Sequence, residues 1–200
     1  MSYREQPNTG DIILSETYTL LSRVTSRLFT APYGHVGICV YMDETPYLYS
    51  ISLEHPNPTI MLLEDWITDP VVTTVALRKL KKPLHGEAED AFKELLTKYE
   101  EVEHKTLFTR ITDIRDGHVG SMDNGLGDTE LVQKILQDAG MMEKNTSSRV
   151  TTHFFLPGRG EMLDMYYKNS LTPLVYKNYS TDQKKTLLAK QIGLFVDLLV

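Results

Sequence analysis

Gly127-Asp128-Thr129-Glu130-Leu131-Val132-Gln133-Lys134-Ile135-Leu136 is the stretch that decides the fold. Its apolar residues recur at helical spacing, so it predicts an amphipathic helix that follows a loop. Asp128 stands at the predicted start of this helix, where an aspartate stabilises by roughly 1 kcal/mol because it accepts a free backbone N–H and meets the positive end of the helix dipole. The helix is expected to end near Ala139-Gly140, with Gly140 as the C′ residue.

Composition and charge bound the class of protein. The chain has 200 residues, of which 41% are hydrophobic and 24% charged, and its net charge is −6. This length suffices for an apolar core, and no shift in composition divides the chain, so a single domain over residues 1–200 is predicted. The one basic run, Arg78-Lys79-Leu80-Lys81-Lys82, is short and reads as the solvated end of a strand, so no nucleic-acid surface is expected.

Two further classes are excluded by pattern. Residues 1–8 are polar and lack the apolar core of a signal peptide, and no run reaches the roughly 18 apolar residues of a membrane span. The protein is therefore expected to be intracellular (cytoplasmic), with no transmembrane segment. The single cysteine, Cys39, excludes an intramolecular disulfide and a multi-cysteine metal site.

The first half of the chain has mainly strand patterns. Residues 11–14 predict a short strand, after which Ser15 and Glu16 are expected to open a helix. The β-forming runs 35–41 and 47–53 predict a hairpin, and 59–63 with 71–77 predict two more strands around a helical turn at 64–67. The fold class is α+β, with an antiparallel sheet of about 4–6 strands packed against helices.

The second half reads as mainly helical. Residues 87–103 carry one apolar stripe and an acidic face, residues 113–127 are a loop by composition, and residues 181–199 predict a C-terminal helix. The apolar residues of this last helix are expected to be buried against the domain or a partner; they are Leu187, Leu188, Ile192, Phe195, Leu198 and Leu199.

Three motifs occur in an order and spacing that resemble a known family: Gly10-Asp11-Ile12-Ile13-Leu14, His35-Val36-Gly37-Ile38 and Glu130-Leu131-Val132. Together they resemble the circularly permuted NlpC/P60 superfamily, a papain-like group with YiiX/YebB-like and poxvirus-type members. The resemblance covers about residues 8–160 and implies a permuted papain-like NlpC/P60 fold, with the C-terminal helix as an extension.

The resemblance also implies a catalytic triad. In the family, a histidine activates a cysteine at a helix N-terminus, and a third polar residue orients that histidine. By position, the histidine matches His35, the orienting residue matches Ser50 and the cysteine matches Asp128. A carboxylate cannot do thiol chemistry, and Ser50 lacks the charge that would stabilise an imidazolium. Asp128 keeps an anion opposite His35, so we predict an ion pair in which the carboxylate lies within about 5 Å of the ring.

Neither Cys39 nor a metal is expected to replace the lost nucleophile. Cys39 lies four residues beyond His35, roughly 13 Å along the strand, and reads as a small buried hydrophobic residue. The segment Gly117-His118-Val119-Gly120 echoes the motif at His35, but a zinc site would need His118 to meet His35 and Asp128. We interpret the echo as chance, and we expect no metal and no cofactor.

On these grounds the resemblance implies a catalytically inactive NlpC/P60-like pseudoenzyme that acts as a structural or binding module. The pattern is closer to the poxvirus-type member than to peptidoglycan hydrolases, so a large-DNA-virus virion or minor capsid component is expected. Its partners would be capsid or virion proteins, bound through the C-terminal helix, and a lipid or peptide ligand is compatible with the fold.

Two alternatives remain. One is a hydrolase or acyltransferase on amide, peptide or lipid acyl substrates, which would use Asp128 or a bound metal in a degenerate site. The other is an active enzyme whose cysteine has been replaced, and the loss of a second triad position, at Ser50, argues against it.

Overall fold

The computed structural model of the protein describes residues 6–18, 32–51, 58–100, 128–144, 152–187 and 189. The elements in chain order are β1 (Ile12–Thr17), β2 (His35–Met42), β3 (Thr45–Ser50), β4 (Thr59–Leu62), α1 (Leu63–Thr68), β5 (Val72–Arg78), α2 (Glu87–Thr97), α3 (Asp128–Asp138), a 3-10 turn (Thr152–Phe155), α4 (Glu161–Tyr166) and β6 (Thr172–Tyr176). Residues 181–187 are also helical.

The strands form one six-stranded sheet in the order β4-β3-β2-β1-β5-β6. Every neighbouring pair in it is antiparallel. The α+β class and an antiparallel sheet of the predicted size are therefore confirmed.

The hairpin of β2 and β3 forms where the sequence predicts it. Met42 pairs with Thr45, so only Asp43 and Glu44 form the connection. Both have positive φ, 46° and 62°, as a type I′ turn requires, and this turn matches the twist of the flanking strands.

The sheet is covered on both faces, which explains the unbroken apolar run of β1. Successive side chains of a strand point to opposite faces. Ile12 and Leu14 join a cluster with residues of α2, α3 and α4, whereas Ile13 joins a second cluster with Leu63 and Ile67 of α1. The sheet therefore lies between α1 on one side and α2, α3 and α4 on the opposite side.

Helix α3 has the bounds that the sequence predicts. It begins at Asp128 and buries its apolar side chains, including Leu131 and Ile135. It ends in a Schellman motif, in which the Gly140 N–H donates to Gln137 O (3.1 Å) and the Met141 N–H to Leu136 O (2.8 Å). Gly140 has φ +69°, which confirms it as the C′ residue.

One helix is wrongly predicted near β1, and one strand, β6, is not predicted. Ser15 and Glu16 do not open a helix; they continue β1, where they pair with Val75 and Thr74 of β5, because sheet pairing outweighs a weak local preference. The rest of that predicted helix, residues 19–31, lies outside the described residues. The sequence also gives no prediction of β6, whose Pro173 is tolerated because β6 is an edge strand.

The Gly-Asp motif before β1 is explained by packing. The Asp11 carboxylate is fully buried and accepts the backbone N–H groups of Asn8 and Leu80, each at 2.8 Å. It thereby joins the turn before β1 to the residues after β5. Burial raises the pKa of Asp11 to about 6, against the opposing effect of these two hydrogen bonds.

Arg78 is not the solvated strand end that the basic run predicts. Its side chain is fully buried and donates to Phe155 O (3.1 Å), to Lys168 O (3.2 Å) and to the Asp164 carboxylate. Burial lowers the pKa of Arg78, and the Asp164 carboxylate opposes this shift. Arg78 therefore attaches the segment that contains α4 to β5.

Other predictions fall outside the described residues. These are the loop 113–127 with His118, and the C-terminal helix beyond residue 189. None of the helices within the described ranges combines the length and the apolar character that crossing a bilayer requires.

Candidate functional site

The structure brings His35 and Asp128 together. His35 is the first residue of β2, and Asp128 is the first residue of α3, which packs across β2. The Nδ1 atom of His35 lies 3.0 Å from Oδ2 of Asp128, and about a tenth of each side chain is exposed. The predicted contact between these two side chains is therefore present.

The Asp128 carboxylate also binds the backbone of β2. Its Oδ2 accepts the Val36 N–H at 3.2 Å. In the register of β2 with β3, the residue opposite Val36 is Ile51, but β3 ends one residue earlier, at Ser50. The Val36 N–H therefore needs another acceptor. The carboxylate holds the start of β2 against the start of α3 through two hydrogen-bonding contacts.

Trp66 of α1 forms a wall of the site, which the sequence does not predict. Its ring centroid lies 5.1 Å from that of His35, with an angle of 46° between the planes. The indole Nε1 donates to Ser15 Oγ at 3.2 Å, and Ser15 is paired with His35 across β1 and β2. The imidazole is therefore held by a carboxylate at Nδ1 and by an indole against its ring.

The second ring nitrogen of His35 is left open. Nε2 is buried and has no hydrogen-bond partner among the described residues. An imidazole that faces a carboxylate through Nδ1 carries its proton there, so a neutral His35 presents an acceptor at Nε2. This is the orientation in which a histidine can accept a proton from a neighbouring group.

Ser50 lies near the pair but makes no hydrogen bond to it. Its Cβ lies 3.1 Å from the position that a Cβ on Gly37 would occupy, and Gly37 and His35 point to the same face of β2. The Ser50 Oγ is buried without a hydrogen-bond partner among the described residues. Its assignment as an orienting residue stays a prediction, because Asp128 makes the contact to Nδ1.

Cys39 is buried in the core, as predicted. It is fully inaccessible and belongs to the cluster around α1. Burial raises the pKa of the Cys39 thiol far above its ordinary value, which disfavours the thiolate. Since it is the only cysteine of the chain, no thiol is available at the site of His35 and Asp128.

The described residues contain no group of three or more His, Cys, Asp or Glu side chains that could hold a metal ion. The pair of His35 and Asp128 supplies two such side chains, which already contact each other. His118, which a zinc site would require, lies outside the part of the chain that the structure describes.

Comparison with known proteins gives a likeness in structure. No family model matches the sequence, and no curated protein matches it. The structure is similar to the crystal structure of the metalloprotein YiiX from Escherichia coli O157:H7, with a TM-score of 0.56 and 18% sequence identity. The match covers 88% of this chain and 100% of the YiiX chain. At this level of identity the likeness shows a shared fold.

Proposed function

We propose that this protein is a catalytically inactive NlpC/P60-like module that serves a structural or binding role. The proposal rests on one observation: the carboxylate of Asp128 contacts both His35 Nδ1 and the Val36 N–H. A residue at the start of a helix, facing a histidine, is the position that the family uses for its cysteine. Here that position holds strand and helix together.

Physical chemistry favours a structural role for this carboxylate. The family chemistry needs a thiol whose proton passes to the histidine. At neutral pH a carboxylate has no proton for the imidazole to remove, and the Oδ2 atom of Asp128 already accepts from two groups. The pair instead resembles a buried hydrogen-bonded contact, which stabilises the local fold as long as both partners remain.

The circularly permuted papain-like arrangement is part of the proposal. It is supported by the order of the motifs, because the strand with His35 precedes the helix with Asp128 along the chain. The likeness to YiiX over most of the chain supports the same fold.

The alternative is a hydrolase or acyltransferase on amide, peptide or lipid acyl substrates. One observation favours it: His35 Nε2 has no hydrogen-bond partner among the described residues, while Nδ1 faces a carboxylate. In this orientation the imidazole could act as a general base on a water or a substrate hydroxyl, with Asp128 as the orienting group.

Two further points concern a metal and a place in a virion. YiiX is described as a metalloprotein, but the described side chains around His35 do not form a set of metal ligands, so a metal is not part of our proposal. The role in a virion or minor capsid, with capsid proteins as partners, rests on the resemblance of the sequence motifs to the poxvirus-type members.

The experiment compares the natural chain with Asp128→Cys, Asp128→Asn and His35→Gln on a panel of amide, thioester and lipid acyl substrates. We expect no turnover by the natural chain above that of His35→Gln. Asp128→Cys restores the family nucleophile beside His35, so it is expected to be alkylated by iodoacetamide faster than the buried Cys39.

Asp128→Asn is the matched control, because it keeps the size of the side chain and removes its charge. Turnover by the natural chain that is lost in both Asp128→Asn and His35→Gln would overturn the inactive-module proposal and establish the alternative. Turnover that appears only in Asp128→Cys would support an inactive natural protein with a retained papain-like geometry.

A further inference from the structure

An apolar groove lies between α1 and the edge strand β6, away from His35. It has a volume of about 470 Å³ and is lined by Ile67, Thr68, Leu174, Val175, Tyr176 and Lys177. Tyr176 is 76% exposed, an unusual fraction for a large aromatic side chain. Exposed apolar surface along an edge strand is prone to association, so a folded protein tends to cover it.

The chain leaves the sheet beside this groove. After β6, the Lys177 N–H donates to Thr73 O, Lys177 Nζ donates to Asp69 O at 2.7 Å, and the Tyr179 hydroxyl donates to Pro70 O at 2.7 Å. These bonds hold residues 177–179 against the turn that follows α1. The helical residues 181–187 therefore begin within a few residues of the groove wall.

The sequence that follows has the composition of a buried segment. Residues 190–200 read Lys-Gln-Ile-Gly-Leu-Phe-Val-Asp-Leu-Leu-Val, and seven of these eleven are Ile, Leu, Phe or Val. Leu188, Ile192, Phe195 and Leu199 recur at the spacing of one helix face. Such a stripe needs an apolar surface to cover it.

The lengths are compatible with an intramolecular contact. Four residues from Lys177 to Thr181 span at most about 14 Å, and residues 181–190 would add about 14 Å as a continuous helix. Eleven further residues cover about 16 Å as a helix and up to about 36 Å when extended. The segment can therefore reach back to a groove that starts at Lys177.

We propose that the C-terminal segment of this same chain, residues 190–200, docks in the groove between α1 and β6. Its apolar stripe covers Leu174 and Tyr176 and shields the β6 edge. The docked stripe is then not available to a capsid protein or another partner, so the C-terminal segment acts as part of the domain. This inference does not depend on whether His35 and Asp128 are active.

Cross-linking of the full-length chain tests the proposal. Tyr176→Cys places a thiol on the groove wall, and Gln191→Cys places one beside the apolar stripe without removing an apolar residue. Cys39 is fully buried, so a short bismaleimide reacts with the introduced pair. We expect a linkage within one chain, identified by peptide mapping, whose yield does not change on dilution.

The matched control pairs Gln191→Cys with Met165→Cys. Met165 is 70% exposed and lies on α4, which packs against the other face of the sheet, so its linkage yield is expected to be several-fold lower. Phe195→Asp, added to the groove pair, is expected to reduce the yield to that of the control, whereas Lys185→Asp, on an exposed side chain, leaves it unchanged.

Three results would overturn the proposal. Equal yields from the groove pair and the α4 pair would mean that the segment has no preferred site. Linkage mainly between two chains, falling on dilution, would assign the groove to a second copy. A yield that survives Phe195→Asp, in a variant whose circular dichroism spectrum and melting temperature match those of its parent, would mean that the apolar stripe does not make the contact.

Discussion

The indole of Trp66 lies against the imidazole of His35, with 5.1 Å between the ring centroids. Trp66 is carried by α1 on one face of the sheet, whereas the carboxylate that contacts His35 Nδ1 is carried by α3 on the other. His35, the first residue of β2, is therefore contacted by side chains from helices on both faces of the sheet. Since Trp66 is the only tryptophan of the chain, its fluorescence reports on this one site.

Replacement of His35 should therefore change the tryptophan emission. His35→Gln removes the ring that lies against the indole, so we expect the emission intensity of Trp66 to differ from that of the natural chain. His85→Gln changes an exposed residue and should leave the emission unchanged. Equal emission from the natural chain and from His35→Gln would show that the imidazole does not contact the indole.

Asp128→Ala should destabilise the fold. It leaves His35 Nδ1 and the Val36 N–H without their acceptor. The site is largely buried, because only about a tenth of the side chains of His35 and Asp128 is exposed. Leaving a buried polar group unpaired costs about 1–3 kcal/mol. Urea unfolding, monitored by circular dichroism, measures the change in the free energy of unfolding.

Two variants separate the contact from a general helix effect. Asp128→Asn keeps an oxygen that can accept one of the two N–H groups, so a smaller loss is expected. Glu130→Ala removes another acidic residue from the first turn of α3, where an acidic side chain also interacts favourably with the helix dipole. An equal loss in Glu130→Ala and Asp128→Ala would contradict a specific role for the pair.

Asp11 should make the fold less stable as the pH rises. Burial raises its pKa from 3.8 to about 6, so between these values the folded state binds the proton more strongly than the unfolded state. The stabilisation from the protonated form is fully present below pH 3.8 and is lost as the pH rises through about 6. Two pKa units correspond to about 3 kcal/mol.

The measurement compares the natural chain with Asp11→Asn, whose side chain does not titrate. The free energy of unfolding of the natural chain minus that of the variant should fall by about 3 kcal/mol between pH 4 and 6, and it should be constant above pH 7. Subtraction removes the contribution of the other carboxylates. A difference that stays constant from pH 4 to 7 would contradict the raised pKa.

Gly37→Ala should destabilise the sheet next to His35. An added Cβ would lie 2.4 Å from Leu48 Cδ1 and 2.9 Å from the carbonyl oxygen of Tyr49. The leucine can rotate, but the backbone oxygen cannot move without disturbing the pairing of β2 with β3. Overpacking of this kind costs about 1–3 kcal/mol.

Gly160→Ala is the control, because the nearest atom to its added Cβ is 3.4 Å away, an ordinary contact. Its melting temperature is expected to stay close to that of the natural chain. If Gly37→Ala melts at the same temperature as Gly160→Ala, the close approach of β3 to Gly37 does not limit substitution there.

Much of the local structure could be predicted from the sequence. The β-forming residues on either side of Asp43 and Glu44 indicate the hairpin, and the helical spacing after Asp128 indicates α3 with its end at Gly140. These features depend on neighbouring residues, so short-range patterns are sufficient. The motifs also placed His35 and Asp128 in one site, through the resemblance to a family.

The sequence by itself thus determined where the hairpin and α3 lie and that no thiol other than Cys39 is present. Only the tertiary structure decided that Ser15 belongs to a strand, that Arg78 is buried, and that β6 completes the sheet, because each depends on a partner far along the chain. It also decided that Trp66, 31 residues from His35 in the sequence, forms a wall of the site. Contacts of this kind arise from the packing of α1 and α3 on opposite faces of one sheet, and no local pattern encodes them.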